Sequence, residues 1–500
     1  MSDTTPPLGP LGDLPPDDLR AELHRMADWI ADYRESIGER RIVPTIAPGD
    51  VTSGLSASLP DAPAPMDSIL RDFDAVVMPG IVHWGHPAFL GYFGSTSNGP
   101  ALLGEMAAAA LNVSAMTWRT SPAATELESV VLRWIRELVG LPTTFTGVVY
   151  DTASVAVLHA LAAARERAAP AVRVRGMAAR ADIPVQRVYA SDQAHSSLEK
   201  AMIVLGLGEE NVVRVRTDER FRLDVDALRE AVADDRRAGR HPLAVVATVG
   251  TTSSASVDPV ARIAELCAAE EIWLHVDAAY GGAMGVLPEG RLVMEGVEHA
   301  DSVVINPHKW LFVPLDFSTL FTRHPEALRA VFALTPEYLR GDATGGDAGA
   351  AIDYMDYGIQ LGRRFRALKA WMALRAFGRS GLESRIREHC RLARVLAERV
   401  EREPGFDLAV EPSMAVVCFR YSPESGDDIE IDRLNEAIVE GVNASGRAYL
   451  THTRLRERTV MRVGFGNVLT SEEHLDILWS QVLAERDRLT RRAHLSTGAV

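Results

Sequence analysis

The pentapeptide Asn306-Pro307-His308-Lys309-Trp310 follows an apolar, strand-like run, so its lysine is expected to be partly buried. A buried lysine is costly unless it is paired or reactive. One interpretation is a lysine that extends from a strand end into solvent. The other is chemical, because a desolvated lysine has a lowered pKa and can bond to a carbonyl carbon, whereas arginine can do neither. The chain has only three lysines, Lys200, Lys309 and Lys369, among many arginines, and this scarcity favours the chemical interpretation.

A carboxylate lies upstream, in Trp273-Leu274-His275-Val276-Asp277. Asp277 closes this apolar strand at its carboxyl end, where open α/β sheets bind ligands, although a carboxylate there can also cap a helix. A bound pyridine-type cofactor would need an anionic partner to keep its ring nitrogen protonated, and Asp277 suits that role. His275 and Asp277 would point to one face of the strand, but no third ligand has a suitable local spacing. We therefore expect no metal.

Three further segments follow predicted strands. Asp151-Thr152-Ala153-Ser154 precedes a helical stretch and offers the backbone N–H groups and hydroxyls that bind phosphate, although taken alone it is an ordinary N-cap. His195, among small residues, can lie flat on an aromatic ring or be a hydrogen-bonded loop residue. Gly250-Thr251-Thr252 adds another hydroxyl at a strand end. All these segments are predicted at the same edge of one sheet, and this agreement in position indicates a binding site.

The elements that position these segments alternate between short apolar runs and helix-like stretches such as 126–140, 155–167 and 259–269. This alternation predicts βαβ units, a mostly parallel sheet and the α/β fold class. The predicted strands are Gly147–Tyr150, Arg187–Tyr189, Leu243–Val249, Ile272–Val276 and Ser302–Ile305.

The pattern changes after about residue 379. A helical stretch is followed by a strand-like run at 414–421, a helix at 431–442, strand-like runs near Ala448 and Val460, and a closing helix. We predict a smaller C-terminal α+β domain from this order. The segment 341–350 contains four glycines and no apolar stripe, which is typical of a mobile loop.

Composition limits the function classes. Among 500 residues, 53 Lys and Arg stand against 68 Asp and Glu, and the formal charge of −15 argues against nucleic acid or anionic lipid as a partner. Three separated cysteines, Cys267, Cys390 and Cys418, offer no disulfide framework or metal knuckle. The acidic, proline-rich N-terminus does not resemble a secretion signal, and no apolar run is long enough to span a membrane. We expect a soluble cytoplasmic protein that acts on a small molecule.

The ordered motifs resemble those of the aromatic-L-amino-acid decarboxylases, which are group II decarboxylases dependent on pyridoxal phosphate. The resemblance covers roughly residues 80 to 465 and rests on HPAFLGYF, TSPAATELE, DTAS, SDQAHSSLEK, GTTSSASVDP, WLHVDAAYGG, NPHKW and LGRRFRALK. It implies the aspartate-aminotransferase-like fold and a homodimer. The implied domains are an N-terminal helical segment (1–98) that packs on the partner subunit, a cofactor-binding domain (99–378) and a small domain (379–500).

The resemblance also implies residue roles. Lys309 would bond to pyridoxal 5'-phosphate, Asp277 would hold the ring nitrogen, and His195 would stack on the ring. Tyr338 would protonate the substrate carbon after CO2 leaves, from a loop closing over the site between about residues 332 and 352. The phosphate would be surrounded by Thr152, Ala153, Ser154, Asn306 and His308, and the ring would touch Thr251 and Ala279. The substrate pocket would contain Trp84, Tyr92, Phe93, Ser95 and Gly362.

Three hypotheses about function stay open. Decarboxylation of an aromatic amino acid to the amine is favoured over an O2-dependent aldehyde synthase, since the synthases typically replace the loop tyrosine or stacking histidine, and Tyr338 and His195 are both present. A catalytically silent protein of this fold would show damaged cofactor residues, and none is seen. Gly94, Met116 and Asp151-Thr152 depart from the family's common residues and bear on substrate choice. Glycine at 362 tends to accompany tolerance of indole rings, which hints at tryptophan-like or mixed aromatic substrates.

Overall fold

The computed structural model describes residues 12–94, 96–169, 171–334, 352–424 and 426–497. Within these ranges the strands form two sheets, one of seven strands and one of four. The strands are β1 (Thr146–Tyr150), β2 (Gln186–Ser191), β3 (Val212–Val215), β4 (His241–Thr248), β5 (Trp273–Asp277), β6 (Ser302–Ile305), β7 (Ser318–Thr322), β8 (Phe406–Leu408), β9 (Val416–Tyr421), β10 (Thr451–Leu455) and β11 (Arg458–Gly464).

Helices cover both sheets. The α-helices are α1 (Pro16–Ser36), α2 (Asp50–Gly54), α3 (Met66–Asp72), α4 (Gly99–Leu111), α5 (Pro122–Leu138), α6 (Ala153–Ala168), α7 (Val172–Arg175), α8 (Ser197–Val204), α9 (Val225–Arg237), α10 (Val260–Glu270), α11 (Pro307–Trp310), α12 (Pro325–Phe332), α13 (Ala367–Arg402), α14 (Asp428–Ser445) and α15 (Glu472–Thr497). Short 3-10 helices span Ile37–Glu39, Met78–Gly80, Glu209–Asn211, Gly281–Val286, Glu289–Met294, Val297–His299 and Tyr354–Tyr357, and a π-helical turn spans Phe73–Val77.

The large sheet has the strand order β1-β7-β6-β5-β4-β2-β3 and is mostly parallel. Strands β6, β5, β4, β2 and β3 run parallel, while β7 lies antiparallel between β1 and β6. Strand β4 is buried along nearly its whole length, as expected for a central strand covered by helices on both faces. The predicted α/β class with a mostly parallel sheet is confirmed.

Strand register brings the carboxyl ends of several strands to one edge. Thr248 at the end of β4 pairs with Asp277 at the end of β5, and Asp277 pairs with Val304 in β6. On the other side, Tyr150 at the end of β1 pairs with Ser318 in β7. The segments that follow β1, β4, β5 and β6 therefore emerge at one edge, as the sequence predicts.

Five strands of the large sheet match the predicted runs within a few residues, whereas β3 and β7 are not among the predictions. Strand β3 is a four-residue edge strand of which only Val215 is buried, so its apolar signal is weak. Strand β7 is buried but begins and ends in hydroxyl residues, Ser318 and Thr322, so its sequence resembles that of a loop more than that of an apolar strand.

The second sheet is antiparallel, with the order β10-β11-β9-β8, and confirms the smaller C-terminal α+β unit. Helix α13 contains a kink at Gly378, where φ is 60°, and the predicted boundary at 378/379 falls there. The chain before α4 contacts this sheet, since Leu90 N donates to Tyr449 O (2.8 Å) and Gly464 N donates to Leu90 O (2.9 Å). None of the described helices has the length and apolar character needed to cross a bilayer.

Candidate active site

Lys309 lies in α11, the short helix that begins immediately after β6. Its neighbours His308 and Trp310 are buried at 5% and 1% exposure, so the turn is held firmly beneath the lysine. Burial lowers the pKa of Lys309, Asp277 opposes this shift, and Arg462 adds to it. A lysine in these surroundings has more of the neutral, nucleophilic amine at neutral pH than an exposed lysine.

Asp277, at the end of β5, and His195, in the loop after β2, face the same region, since Asp277 and Lys309 both act on the pKa of His195. Asp277 Oδ1 accepts a hydrogen bond from Ala279 N (3.0 Å), which orients the carboxylate as the chain leaves β5. His195 Nδ1 accepts from Ser197 N (3.1 Å), so the proton of the neutral ring is on Nε2. Partial burial lowers the pKa of His195, Asp277 raises it, and Lys309 lowers it further. Asp277 and Lys309 thus act in opposite directions on the charge of His195.

The segment after β1 lies beside α11. Tyr150 pairs with Ser318, and Ser318 Oγ donates to Asn306 Oδ1 (2.6 Å), which places residues 151–154 near Asn306. Thr152 is the N-cap of α6, but its side chain accepts no capping bond from the helix. The first turn of α6 therefore has N–H groups available for an anion, with the Thr152 hydroxyl beside them.

His308 and Thr251 have hydrogen-bonding duties within the protein. His308 Nδ1 accepts from Phe317 N (3.0 Å), and burial lowers its pKa to about 3, so the ring is neutral. Thr251 is fully buried, and its Oγ1 accepts from Ser256 N (3.0 Å) and lies 3.1 Å from Ser254 Oγ. Both side chains stabilise loops at the sheet edge, whatever contact they make with a ligand.

An aromatic group lies above this edge. The rings of Trp84 and Tyr92 stack with centroids 5.3 Å apart, and both side chains are nearly half exposed. Phe93 lies closer to the lysine, with Lys309 Nζ 4.9 Å from its ring centroid. The structure thus brings Phe93 to Lys309, while Trp84 and Tyr92 form a separate stacked pair.

Gly362 borders open space, since a Cβ added there would meet no atom within 4 Å. The next residue, Arg363, is buried and forms an ion pair with Glu128. Its guanidinium also donates to Ala115 O (2.9 Å) and Val149 O (2.8 Å), which ties the segment containing Gly362 to β1. Two predicted site residues, Ser95 and Tyr338, lie outside the described residues.

Arg462 and Tyr280 are near the lysine but absent from the predicted site. Arg462, in β11, is only 4% exposed, and its Cζ lies 4.7 Å from the Phe93 centroid. Its Nη1 donates to Tyr92 O (2.7 Å) and its Nε to Thr252 O (2.9 Å). Tyr280 stacks on Phe93 at 3.9 Å. The sequence feature that could have indicated a role for Arg462 is the presence of an arginine within the apolar run 459–465.

The residues present fit a pyridoxal-type cofactor. Such a group needs a lysine of lowered pKa, a carboxylate for its ring nitrogen and N–H donors for its phosphate. Lys309, Asp277 and the N-terminus of α6 provide all three at one sheet edge. Fold and site together fit the class of α/β proteins that bind a pyridoxal-type cofactor at the edge of a mostly parallel sheet.

Comparison with known proteins identifies the family. The pyridoxal-dependent decarboxylase conserved domain matches residues 48–422. A phenylacetaldehyde synthase of Arabidopsis thaliana is 38% identical over 482 residues, covering 95% of this chain and 97% of the relative. Tryptophan decarboxylase 2 of Oryza sativa subsp. japonica is 38% identical over 481 residues, covering 95% of each. The crystal structure of Oryza sativa TDC with PLP and tryptamine has a TM-score of 0.90 at 36% identity, covering 95% of this chain and 99% of that one.

This chain belongs to the pyridoxal-dependent decarboxylase family. The predicted family, fold, cofactor and carboxy-lyase class are therefore confirmed. The individual site residues and the domain boundaries stay predictions.

Proposed function

We propose that this enzyme decarboxylates an aromatic L-amino acid of the tryptophan, tyrosine, phenylalanine or DOPA type to the arylalkylamine and CO2. The observation that carries the proposal is the meeting of Lys309, Asp277 and Phe93 at one sheet edge, with an aromatic pair nearby. The names of similar proteins, which include tryptophan and tyrosine decarboxylases, support the aromatic substrate class.

Each residue has a proposed role toward the cofactor. Lys309 would bond to it, Asp277 would keep its ring nitrogen protonated, and His195 would lie on its ring. The phosphate would be held by Thr152, Ala153, Ser154, Asn306 and His308, and the ring would contact Thr251 and Ala279. The unused capping position of Thr152 and the neutral ring of His308 support this assignment, because neither residue brings negative charge to the phosphate.

When bound, pyridoxal 5'-phosphate supplies an electron sink for the electron pair left at the substrate α-carbon as CO2 departs. The protein's own groups determine which bond breaks. Asp277 would hold a proton at the ring nitrogen of the bound cofactor, and the walls of the site would orient the substrate so that its carboxylate, not its α-hydrogen, is placed for loss. Burial lowers the pKa of Lys309, so its amine loses a proton more readily than that of an exposed lysine. Tyr338 is the proposed proton donor to the α-carbon.

The proposed substrate pocket is aromatic, with Trp84, Tyr92, Phe93, Ser95 and Gly362. A distal carboxylate, as in glutamate, would need a cation with free donors. The exposed aromatic pair offers none, and we expect glutamate and aspartate to be poor substrates. Open space at Gly362 supports acceptance of a bicyclic side chain such as indole.

The alternative function is an aromatic aldehyde synthase, which would use O2 to give aldehyde, ammonia and peroxide. The similarity to a phenylacetaldehyde synthase favours keeping this alternative. The presence of Tyr338 and His195 favours the decarboxylase. Incubation with single amino acids, with amine, aldehyde, CO2 and peroxide each quantified, distinguishes the two. Aldehyde and peroxide as main products would overturn the decarboxylase proposal.

The assignment of Lys309 as the residue that bonds to the cofactor is tested by borohydride reduction of the cofactor-bound protein, followed by peptide mapping. The adduct is expected on Lys309, and an adduct on Lys200 or Lys369 would refute the assignment. Lys369 is the more informative comparison, because it is also buried, at 1% exposure, but is paired directly with the carboxylate of Glu105.

We further propose a homodimer with domains at 1–98, 99–378 and 379–500. Helix α1 has no buried residue, and Leu19 and Leu23 on it are 44% and 47% exposed, while Leu103 and Leu111 on α4 are about 60% exposed. Such apolar surface favours burial against a second copy. Light scattering that gives the mass of a single chain would contradict this.

A cytoplasmic location is supported by the free cysteines and is testable by cell fractionation.

A further inference from the structure

The ring of Phe93 is in contact with other side chains on both of its faces. Tyr280 stacks on one face with a centroid distance of 3.9 Å and an interplanar angle of 19°. Lys309 Nζ and Arg462 Cζ lie 4.9 and 4.7 Å from the same ring centroid. A ring stacked at 3.9 Å leaves no room for a cation on its own side, so both cations lie on the opposite face. Only the ring edge remains for a substrate.

The position of this ring is set by a column of stacked rings. Tyr280 stacks on Trp310 at 4.8 Å, and the Trp310 Nε1 donates to His389 Nδ1 (3.0 Å). Since His389 Nδ1 accepts, its Nε2 carries the proton and donates to Asn467 O (2.9 Å). Tyr280, Trp310 and His389 are each at most 3% exposed. The column is therefore a rigid support that begins in α13 and ends at Phe93.

We propose that Phe93 is a positioning residue for Lys309: its π-face holds the lysine ammonium whenever the amine is free, and Arg462 limits that attraction from the same face. The inference deepens the proposed function and rests on Lys309 being the cofactor lysine. A lysine that substrate displaces must stay close to return, and a flat π-face gives a weak, non-covalent holding contact. An ion pair would hold the amine charged and unreactive.

The charged groups facing Lys309 come from every surrounding element. Asp277 at the end of β5 favours the ammonium, whereas Arg462 in β11 disfavours it. His195 interacts with Lys309 from the loop after β2, and His308, its neighbour in α11, is neutral. Loss of the Phe93 ring and loss of the Arg462 charge should therefore move the ionisation of Lys309 in opposite directions.

The test uses full-length protein from which the cofactor has been removed. Trace acetic anhydride labels the amines from pH 6 to 11, and mass spectrometry of the Lys309 peptide gives its titration midpoint, with exposed Lys200 as internal reference. Phe93→Leu should lower the Lys309 midpoint by about half a pH unit, as expected for loss of a cation–π contact. Arg462→Gln should raise it. The Lys200 midpoint should not move.

Conservative variants separate an electronic role from a packing role. Phe93→Tyr and Phe93→Trp keep a π-face and should leave the midpoint within about 0.2 pH unit of the parent, whereas Phe93→Met, a second ring-free variant, should match Phe93→Leu. An unchanged midpoint in both ring-free variants, or a lowered midpoint in Arg462→Gln, overturns the proposal. Borohydride mapping of the protein after the cofactor is added back tests the cofactor lysine independently of Phe93. An adduct on another lysine refutes the proposed site, while the labelling experiment still measures the effect of Phe93 on the Lys309 titration midpoint.

Steady-state kinetics add a second readout. Because both faces of Phe93 are occupied, its replacement by Leu should lower kcat more than it raises KM for an aromatic amino acid. If KM instead rises tenfold with kcat and the Lys309 midpoint unchanged, Phe93 acts only as part of the substrate pocket, and its positioning role toward Lys309 is overturned.

Discussion

Replacing Arg363 by methionine should destabilise the protein strongly. The Arg363 side chain is 4% exposed and the Glu128 side chain 2%, and their Nη–Oε distances are 2.6 and 3.0 Å. The same guanidinium donates to the carbonyls of Ala115 and Val149. The change removes all four bonds and leaves Glu128 buried, with Val149 N (3.1 Å) as its one remaining donor among the residues that the structure describes.

The magnitude follows from this geometry. Breaking a buried ion pair while one charge stays buried costs about 3–5 kcal/mol. For a urea dependence of about 3 kcal/mol per M, the unfolding midpoint should fall by about 1 M or more. Tryptophan fluorescence in urea measures the shift. The cofactor should also bind more weakly, because Arg363 connects the Gly362 segment to β1, which leads into the proposed phosphate-binding turn.

Two controls make the result interpretable. Arg364 is the adjacent arginine, but its side chain is 55% exposed in its ion pair with Glu105, so Arg364→Met should cost about 1 kcal/mol or less. The double variant Glu128→Gln with Arg363→Met removes the orphaned charge and should recover part of the loss. If Arg363→Met unfolds at the same urea concentration as Arg364→Met, the buried Arg363–Glu128 pair contributes no more to the free energy of unfolding than an exposed ion pair, and the prediction is refuted.

Three further predictions concern other sites. Tyr338→Phe should leave the cofactor absorption unchanged, strongly reduce amine formation and divert substrate to aldehyde with O2 uptake, and full amine yield without O2 consumption would show that another group donates the proton. Burial raises the pKa of Asp258 to about 6, so stability relative to Asp258→Asn should be greatest near pH 4 and fall as the pH rises through 6, as urea titrations at each pH will show; a difference independent of pH would contradict this. Burial raises the pKa of Cys267 to about 12 and of Cys418 to about 11, so these two buried thiols should react slowly with a disulfide reagent at pH 8 and rapidly in urea, whereas their fast reaction in the folded protein would contradict their burial.

Residues at strand ends could be predicted from the sequence because local patterns mark them. Asp277 and Lys309 each follow an apolar run, and parallel strands bring their carboxyl ends together. Contacts between distant segments leave no such pattern. Arg462 meets Phe93 from far along the chain, and an arginine in an apolar strand gives no indication of which ring it will approach. The pairing of Arg363 with Glu128 also joins distant segments, so it could not be predicted from LGRRFRALK, which contains Arg363, or from TSPAATELE, which contains Glu128.

Burial alone does not distinguish the reactive lysine from the structural one. Lys369 is less exposed to solvent than Lys309, but the carboxylate of Glu105 pairs with it directly and Asp316 lies 4.0 Å away, so its ammonium has a carboxylate partner. Among the described residues Lys309 forms no direct ion pair; Asp277 acts on it without a salt bridge, Arg462 opposes its charge, and the contact beneath it is the face of Phe93. A π-face stabilises an ammonium far less than a buried carboxylate does. Burial lowers the pKa of both amines, but at Lys369 the direct ion pair with Glu105 opposes this shift, whereas Lys309 has only the indirect influence of Asp277. This difference in partner favours Lys309 over Lys369 as the proposed reactive amine.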